Sequence, residues 1–369
     1  MKIPHSKFWP FIHPTLILSM VLLLLSGCAK VSYLWDQGRG QLSLFWDGRE
    51  NSEVLKDPNI PSEFKEKIRL VEKYKRYFYE HWNKKETDIY SETTILDQEA
   101  VTYLVIASPY DHIRPLKHSF PFMGEFPYLG FFSREKAYKY AQNLEEESND
   151  EKEKWVTYVR PVYAYSTLGY FEDNILSSFF EYDDFALAEL VFHELFHTIF
   201  FIKNEVGFNE SLATFFSRKM TYEYFKLSDD EIEKKKKSYR DRDLLMRNMV
   251  THVEVLNRKY QEAAPESKEE AKKLLDNYLS TEFLRDFKEL CEQNKMDHCF
   301  PIQSQWNNAS LAAMMTYQNK EKKLDQLFKA KKMDLKEFFN FIQKSYDQYL
   351  DSDEDGPFSN GLFQKNLKI

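Results

Sequence analysis

Phe185 to Ile202 read FALAELVFHELFHTIFFI, and the fold turns on this stretch. Apolar residues occupy all sides of the helix it would form, which marks a helix buried in a core. His193, Glu194 and His197 lie inside that run. Such groups are costly to desolvate without a partner such as a metal ion. Residues four apart share a helical face, so the two imidazoles can converge on one ion. Glu194, one step round, reaches a water on that ion without being a ligand.

The spacing is H-E-x-x-H, the arrangement of zinc peptidases. Hydrolytic zinc sites use three protein ligands and leave a fourth position for water. The third ligand is expected just downstream, where Gly207 to Phe216 read GFNESLATFF as a second helix presenting Glu210 in its first turn. From His197 the first helix climbs about 8 Å to Ile202. The six residues Lys203 to Phe208 span up to roughly 20 Å, enough to turn back and bring Glu210 level with the histidines. Gly207 is expected to allow the sharp bend. Glu205 is the rival ligand, but it falls in the connecting loop, and Glu210 is favoured. One Zn2+ per chain follows from this reading.

Outward from the motif, Ser62 to Trp82 carry Phe64, Ile68, Val71, Tyr74 and Phe78 at helical spacing. Ala100 to Ala107 and Trp155 to Tyr165 are rich in β-branched and aromatic residues and read as strands, with Pro161 demoting the second toward an edge. Ser133 onward reads as helix. From Asp184 on, helix dominates. Ser228 and Glu231 form a capping box opening a long helix to about Ala263, and Ser267 with Glu270 opens the next. Asn307 to about Lys331 and Asp334 to Leu350 read as two more. The expected fold class is α+β and predominantly α-helical. A small N-terminal sheet lies within residues 28–183, and the active-site helix opens a helical half at 184–369, all in one domain.

Composition narrows the function. The chain has 369 residues and only 10 glycines, where average usage gives roughly 26. No Walker-type loop exists, and Gly38-Arg39-Gly40 lacks the context of a dinucleotide fingerprint. A net charge of −8 argues against a nucleic-acid partner. Aromatics make up 16%, with 31 Phe and 23 Tyr, enough apolar material for a sizeable core.

Residues 1–27 read as an export signal: Lys2 and Lys7, then an apolar run of 11 residues from Thr15 to Leu25. Leu25-Ser26-Gly27-Cys28 resembles the bacterial lipoprotein lipobox, which implies acylation of Cys28 and a membrane partner reached through a lipid anchor. The expected location is the cell envelope, with Ala29 after the cysteine suggesting the outer membrane, facing the periplasm. Cys291 and Cys299 are then expected to form a disulfide in an oxidising compartment. A Cys291–His298–Cys299 metal site is the weaker alternative, since no fourth ligand lies nearby. Asp351 to Gly356 fits the opening of an EF-hand loop but lacks its closing glutamate, so it reads as a solvated acidic tail.

The pairing of FHELFH with FNESLATFF resembles a family of bacterial predicted aminopeptidases, zinc metallopeptidases of the glutamate-ligand (gluzincin) type. Gln37-Gly38, the Phe120 to Phe132 aromatic loop, Ala164 to Phe171 and Asn307 to Tyr317 are similar to further segments of that family. The resemblance implies a zincin-like fold and a peptide substrate. It implies zinc held by His193, His197 and Glu210, with Glu194 as general base. A donor to the oxyanion is also needed; Tyr317, Tyr165 and His252 are candidates, and the resemblance favours Tyr317. Ser166 to Tyr170 is a candidate edge strand for an extended peptide. Three features depart from better-known gluzincins, the first being the shorter separation of His197 from Glu210, with twelve residues between them. Thr214 stands where many place an acid to orient a ligand histidine, and no Gly-x-Met-x-Asn segment for a substrate amine is present. The competing expectation is an envelope-anchored zinc-binding scaffold without catalysis, against which the presence of Glu194 counts. Oligomeric state is not readable.

Overall fold

The computed structural model describes residues 46–120, 124–147, 155–163, 173–315, 321–352 and 356–367. The first part runs β1 (Arg49–Glu50), α1 (Asn51–Val54), α2 (Ser62–Trp82), β2 (Glu92–Thr94) and β3 (Thr102–Pro109). Next come β4 (His118–Phe120), β5 (Gly124–Phe126), β6 (Leu129–Phe131), α3 (Arg134–Glu147), β7 (Trp155–Val162) and β8 (Ile175–Leu176). A 3-10 turn, Ser177–Glu181, leads into α4 (Asp184–Ile199), α5 (Val206–Phe225) and α6 (Asp229–Ala263). The remainder is α7 (Lys268–Tyr278), a π-helical segment Leu279–Phe283, α8 (Leu284–Gln293), α9 (Phe300–Gln303), α10 (Asn308–Met314), α11 (Glu321–Lys331), α12 (Leu335–Leu350) and α13 (Phe358–Leu367). The fold is α+β and predominantly helical.

β3 lies between antiparallel β6 and β7, with Tyr103 opposite Phe131 on one side and Pro161 on the other. β7 is therefore an edge strand, where the N–H that proline lacks is not needed for a ladder. The strand expected from Ala100 begins instead at Thr102, because β7 ends opposite it at Val162. Leu104 and Ile106 face the helical core, and α3 packs against β3 and β7. In the second sheet β2 pairs antiparallel with β1 and parallel with β8. Asn51 knots it, donating to the Tyr90 carbonyl (2.9 Å) and to Glu72 (3.0 Å) and accepting from the Thr93 hydroxyl (2.7 Å).

α4 starts where the Asp183 carboxylate accepts from the Ala186 N–H (2.7 Å). Lys67 of α2 anchors that end through the Tyr182 carbonyl (2.7 Å) and Asp184 (2.9 Å). The aromatic excess of the sequence sits around this helix. The Phe192 ring lies 5.9–6.3 Å from those of Tyr74, Tyr77 and Phe78. Phe196 stacks on Phe216 of α5 at 4.7 Å and meets Phe339 of α12 at 5.5 Å. The helix is not buried all round, however. Leu187, Ala188, Val191, Phe192 and Leu195 are sealed, whereas Glu189, Leu190, His193 and Glu194 are only half-buried. That second face carries His193 and Glu194.

The long helix α6 opens with the Ser228/Glu231 capping box and ends at Ala263, as expected. It shares a second core with α7, α8 and α10. In that core Cys291 and Cys299 are joined in a disulfide, so neither thiolate is available to a Cys-His-Cys site. The single helix expected over 307–331 stops at Met314. Its start is as read, with Asn307 capping the Ser310 N–H, but Asn308 to Ala312 are all buried, a peg rather than an amphipathic helix. Asn308 fixes the peg by donating to the Pro109 and Tyr110 carbonyls (2.9 and 2.8 Å) and accepting from Tyr260 (2.9 Å).

Candidate metal centre

α4 and α5 lie antiparallel, and their register decides which side chains meet. The turn between them is made by Asn204, with φ of 64°, and not by Gly207, which lies inside the first turn of α5. Asn209 locks the turn: its amide oxygen accepts from the Ile202 N–H (2.8 Å) and its amide nitrogen donates to the Ile202 carbonyl (2.7 Å). Both partners are buried. An alanine at 209 leaves two buried main-chain groups unpaired, costing about 2–4 kcal/mol. A Cβ on Gly207 meets nothing within 4 Å. Gly207→Ala is thus expected to be neutral or to stabilise by up to about 1 kcal/mol. Denaturant unfolding of the two variants side by side checks this contrast.

From that lock, cross-helix contacts recur about one turn apart. Glu210 meets His197 and His193, Thr214 meets His193, Arg218 meets Glu189, and the rings of Tyr222 and Phe185 stack at 6.4 Å. Arg218 Nε donates to Glu189 (3.1 Å), whose other oxygen accepts from the Tyr239 hydroxyl (2.7 Å) of α6. The guanidinium also lies 3.6 Å from the centre of the Tyr239 ring. The long helix is thereby fastened to the pair.

At the centre of the ladder His193, His197 and Glu210 form a small triangle, Glu210 turning one oxygen to each histidine. His193 Nε2 is 3.2 Å from Glu210 Oε2 and 3.3 Å from His197 Nε2, and His197 Nε2 is 3.4 Å from Glu210 Oε1. A tetrahedral ion about 2.0–2.1 Å from each ligand has ligand–ligand edges of about 3.3–3.4 Å. The His–His separation and the distance from each imidazole to a carboxylate oxygen are of that size, so the group can hold one ion. These three are the one His/Cys/Asp/Glu group among the described residues that could hold a metal ion.

The electrostatics agree. The His197 side chain is 1% exposed, and burial together with charge on His193 pushes its pKa down to about 4. Burial also opposes charge on His193, but Glu210, Glu194 and Glu189 outweigh it and raise its pKa. Burial would raise the Glu210 pKa, yet its hydrogen bond to His193 and the two imidazoles hold it below the ordinary value. The carboxylates thus favour positive charge where the three side chains converge. His197 Nδ1 is buried without a hydrogen-bond partner among the described residues. With Nε2 turned to the triangle, the proton of the neutral ring belongs on Nδ1.

Glu194 stands beside the triangle, half-buried on the same second face of α4 as His193. Its charge reaches both His193 and the buried phenol of Tyr90. The sequence offers no sign of Tyr90. It sits at φ of 60°, with its N–H bonded to the Asp173 carbonyl (2.8 Å) and its own carbonyl held by Asn51. Thr214 Oγ1 lies 3.5 Å from His193 Nδ1, so a hydroxyl stands where many gluzincins were expected to carry an acid. The remaining candidates fall elsewhere. Glu205 turns its carboxylate to the Ser359 N–H, away from the triangle. His252 is bonded to the Tyr278 hydroxyl (2.7 Å), with its ring against Phe283 and Phe287 of the second core. Tyr317, Tyr165, Ser166 to Tyr170, Cys28 and the 353–355 part of the acidic tail lie outside the described residues.

A family model described as "Putative aminopeptidase" matches residues 32–352, most of the chain. No curated protein and no solved structure matches it. By the extent of that match, with the ligand helices inside it, the chain belongs to the "Putative aminopeptidase" family.

Proposed function

We propose that the protein is a zinc-dependent peptidase of zincin-like architecture, hydrolysing peptides at the bacterial cell envelope. The observation that carries this is the His193–His197–Glu210 triangle, whose separations suit a single ion. Two imidazoles and a carboxylate with an open position are the donor set of hydrolytic zinc. When bound, zinc supplies a water of near-neutral pKa and polarises the scissile carbonyl. Glu194 takes the proton of the attacking water and returns it to the leaving amine. Thr214 steadies His193 through Nδ1, and the Glu189–Arg218–Tyr239 cluster keeps α4 and α5 in register. Tyr317 is assigned to the developing oxyanion on the family resemblance. The lipobox at 25–28 supports residues 1–27 as a signal, Cys28 as the acylated anchor and 28–369 as one peptidase domain, placed on the outer membrane facing the periplasm.

The family description supports aminopeptidase action in particular. A panel of peptides with free and acetylated N-termini tests it. Cleavage from free N-termini, with acetylated peptides resisting, is the expected result. Equal cleavage of both removes the amino specificity and leaves the zinc hydrolase. Zinc-loaded protein inert on the whole panel would favour an envelope-anchored zinc-binding scaffold.

A further inference from the structure

The turn that presents Glu210 is held from outside the helix pair. Glu205, the N-cap residue of α5, accepts the Ser359 N–H with both carboxylate oxygens, at 3.2 and 3.3 Å, in the first turn of α13. A carboxylate there also meets the positive end of the helix dipole. Three residues on, the Phe208 ring lies 6.2 Å from Phe358 and 5.7 Å from Phe363, both buried. On the other side of the turn, the Lys203 N–H donates to the Tyr346 hydroxyl (3.4 Å), and the Tyr346 ring closes on Phe358 at 5.1 Å. Residues 203–208 are thus clasped between α12 and α13. Glu210 follows at once, its side chain 46% exposed, and the turn before it helps to set its position. The family match stops at residue 352, so α13 lies outside it.

We propose that Glu205 is a positioning residue that couples α13 to the metal centre. By tying the N-terminus of α13 to the start of α5, it fixes the turn presenting Glu210, and the C-terminal helix thereby sets metal affinity. This rests on reading His193, His197 and Glu210 as metal ligands.

The test uses the full-length protein in detergent, with Zn2+ affinity measured by chelator competition and the unfolding midpoint of the metal-free protein measured alongside. Glu205→Ala is expected to bind zinc about tenfold more weakly than wild type. Lys331→Ala serves as control, since it removes a 2.7 Å bond to Asn366 at the far end of α13. It is expected to bind zinc as wild type does, with a midpoint no higher than that of Glu205→Ala. Glu205→Gln keeps volume and an acceptor but loses the charge-assisted bond, and a loss of about threefold is expected. This variant decides the matter if Glu205→Ala does not fold. Wild-type affinity in both Glu205 variants overturns the coupling alone, as does an equal loss in Lys331→Ala. A wild-type protein that binds no zinc overturns the metal reading and the coupling together.

Discussion

Glu194→Gln is expected to keep its full complement of zinc and to lose hydrolysis by about 10²–10⁴-fold. The substitution preserves the shape of a half-buried side chain of α4 and leaves His193, His197 and Glu210 in place. What disappears is a carboxylate able to accept a proton beside the reacting water. Because ligation is untouched, the loss should fall in kcat, with the metal content unchanged. Steady-state kinetics and elemental analysis on one preparation separate these effects. Hydrolysis equal to wild type would remove Glu194 from the mechanism while leaving the metal site standing.

His197→Ala carries the second large effect, this time on the metal itself. His197 is the most deeply buried of the three ligands, and its Nε2 closes two edges of the triangle. Two ligands alone hold zinc far more weakly, so the variant should lose both stoichiometric metal and activity. Stability reports the same change independently. Zinc at a hundredfold excess over its Kd stabilises the wild-type fold by about 2.7 kcal/mol, because it binds only the native state. His197→Ala should show no zinc-dependent rise in melting temperature. Its metal-free form should remain folded, since the alanine also removes the unpartnered Nδ1. A zinc-dependent rise as large as in wild type would place the metal elsewhere.

Much of this was readable in the chain, and the readable parts share a cause. α2 follows from helical periodicity, and α4, α6 and α12 also have a side-chain cap at their start, all local signals. The meeting of His193, His197 and Glu210 was legible because helical spacing and one short connection bring them together. What was missed depends on distant partners. Gly207 looked like the hinge, but the turn is made by Asn204 and locked by Asn209, a side-chain clip that no composition rule announces. Helix 307–331 was read too long, because Asn308 to Ala312 are set by burial against β3 and α6 rather than by periodicity. Tyr90 reaches the field of Glu194 from far along the chain, and the Glu189–Arg218–Tyr239 cluster joins three helices. None of these leaves a mark at its own position.

The most direct measurement is the metal content of the full-length wild-type protein, purified in detergent and dialysed against micromolar zinc and then against zinc-free buffer. The account predicts about one zinc per chain, removed by chelators and absent from His197→Ala. A folded wild-type protein carrying no zinc would contradict it.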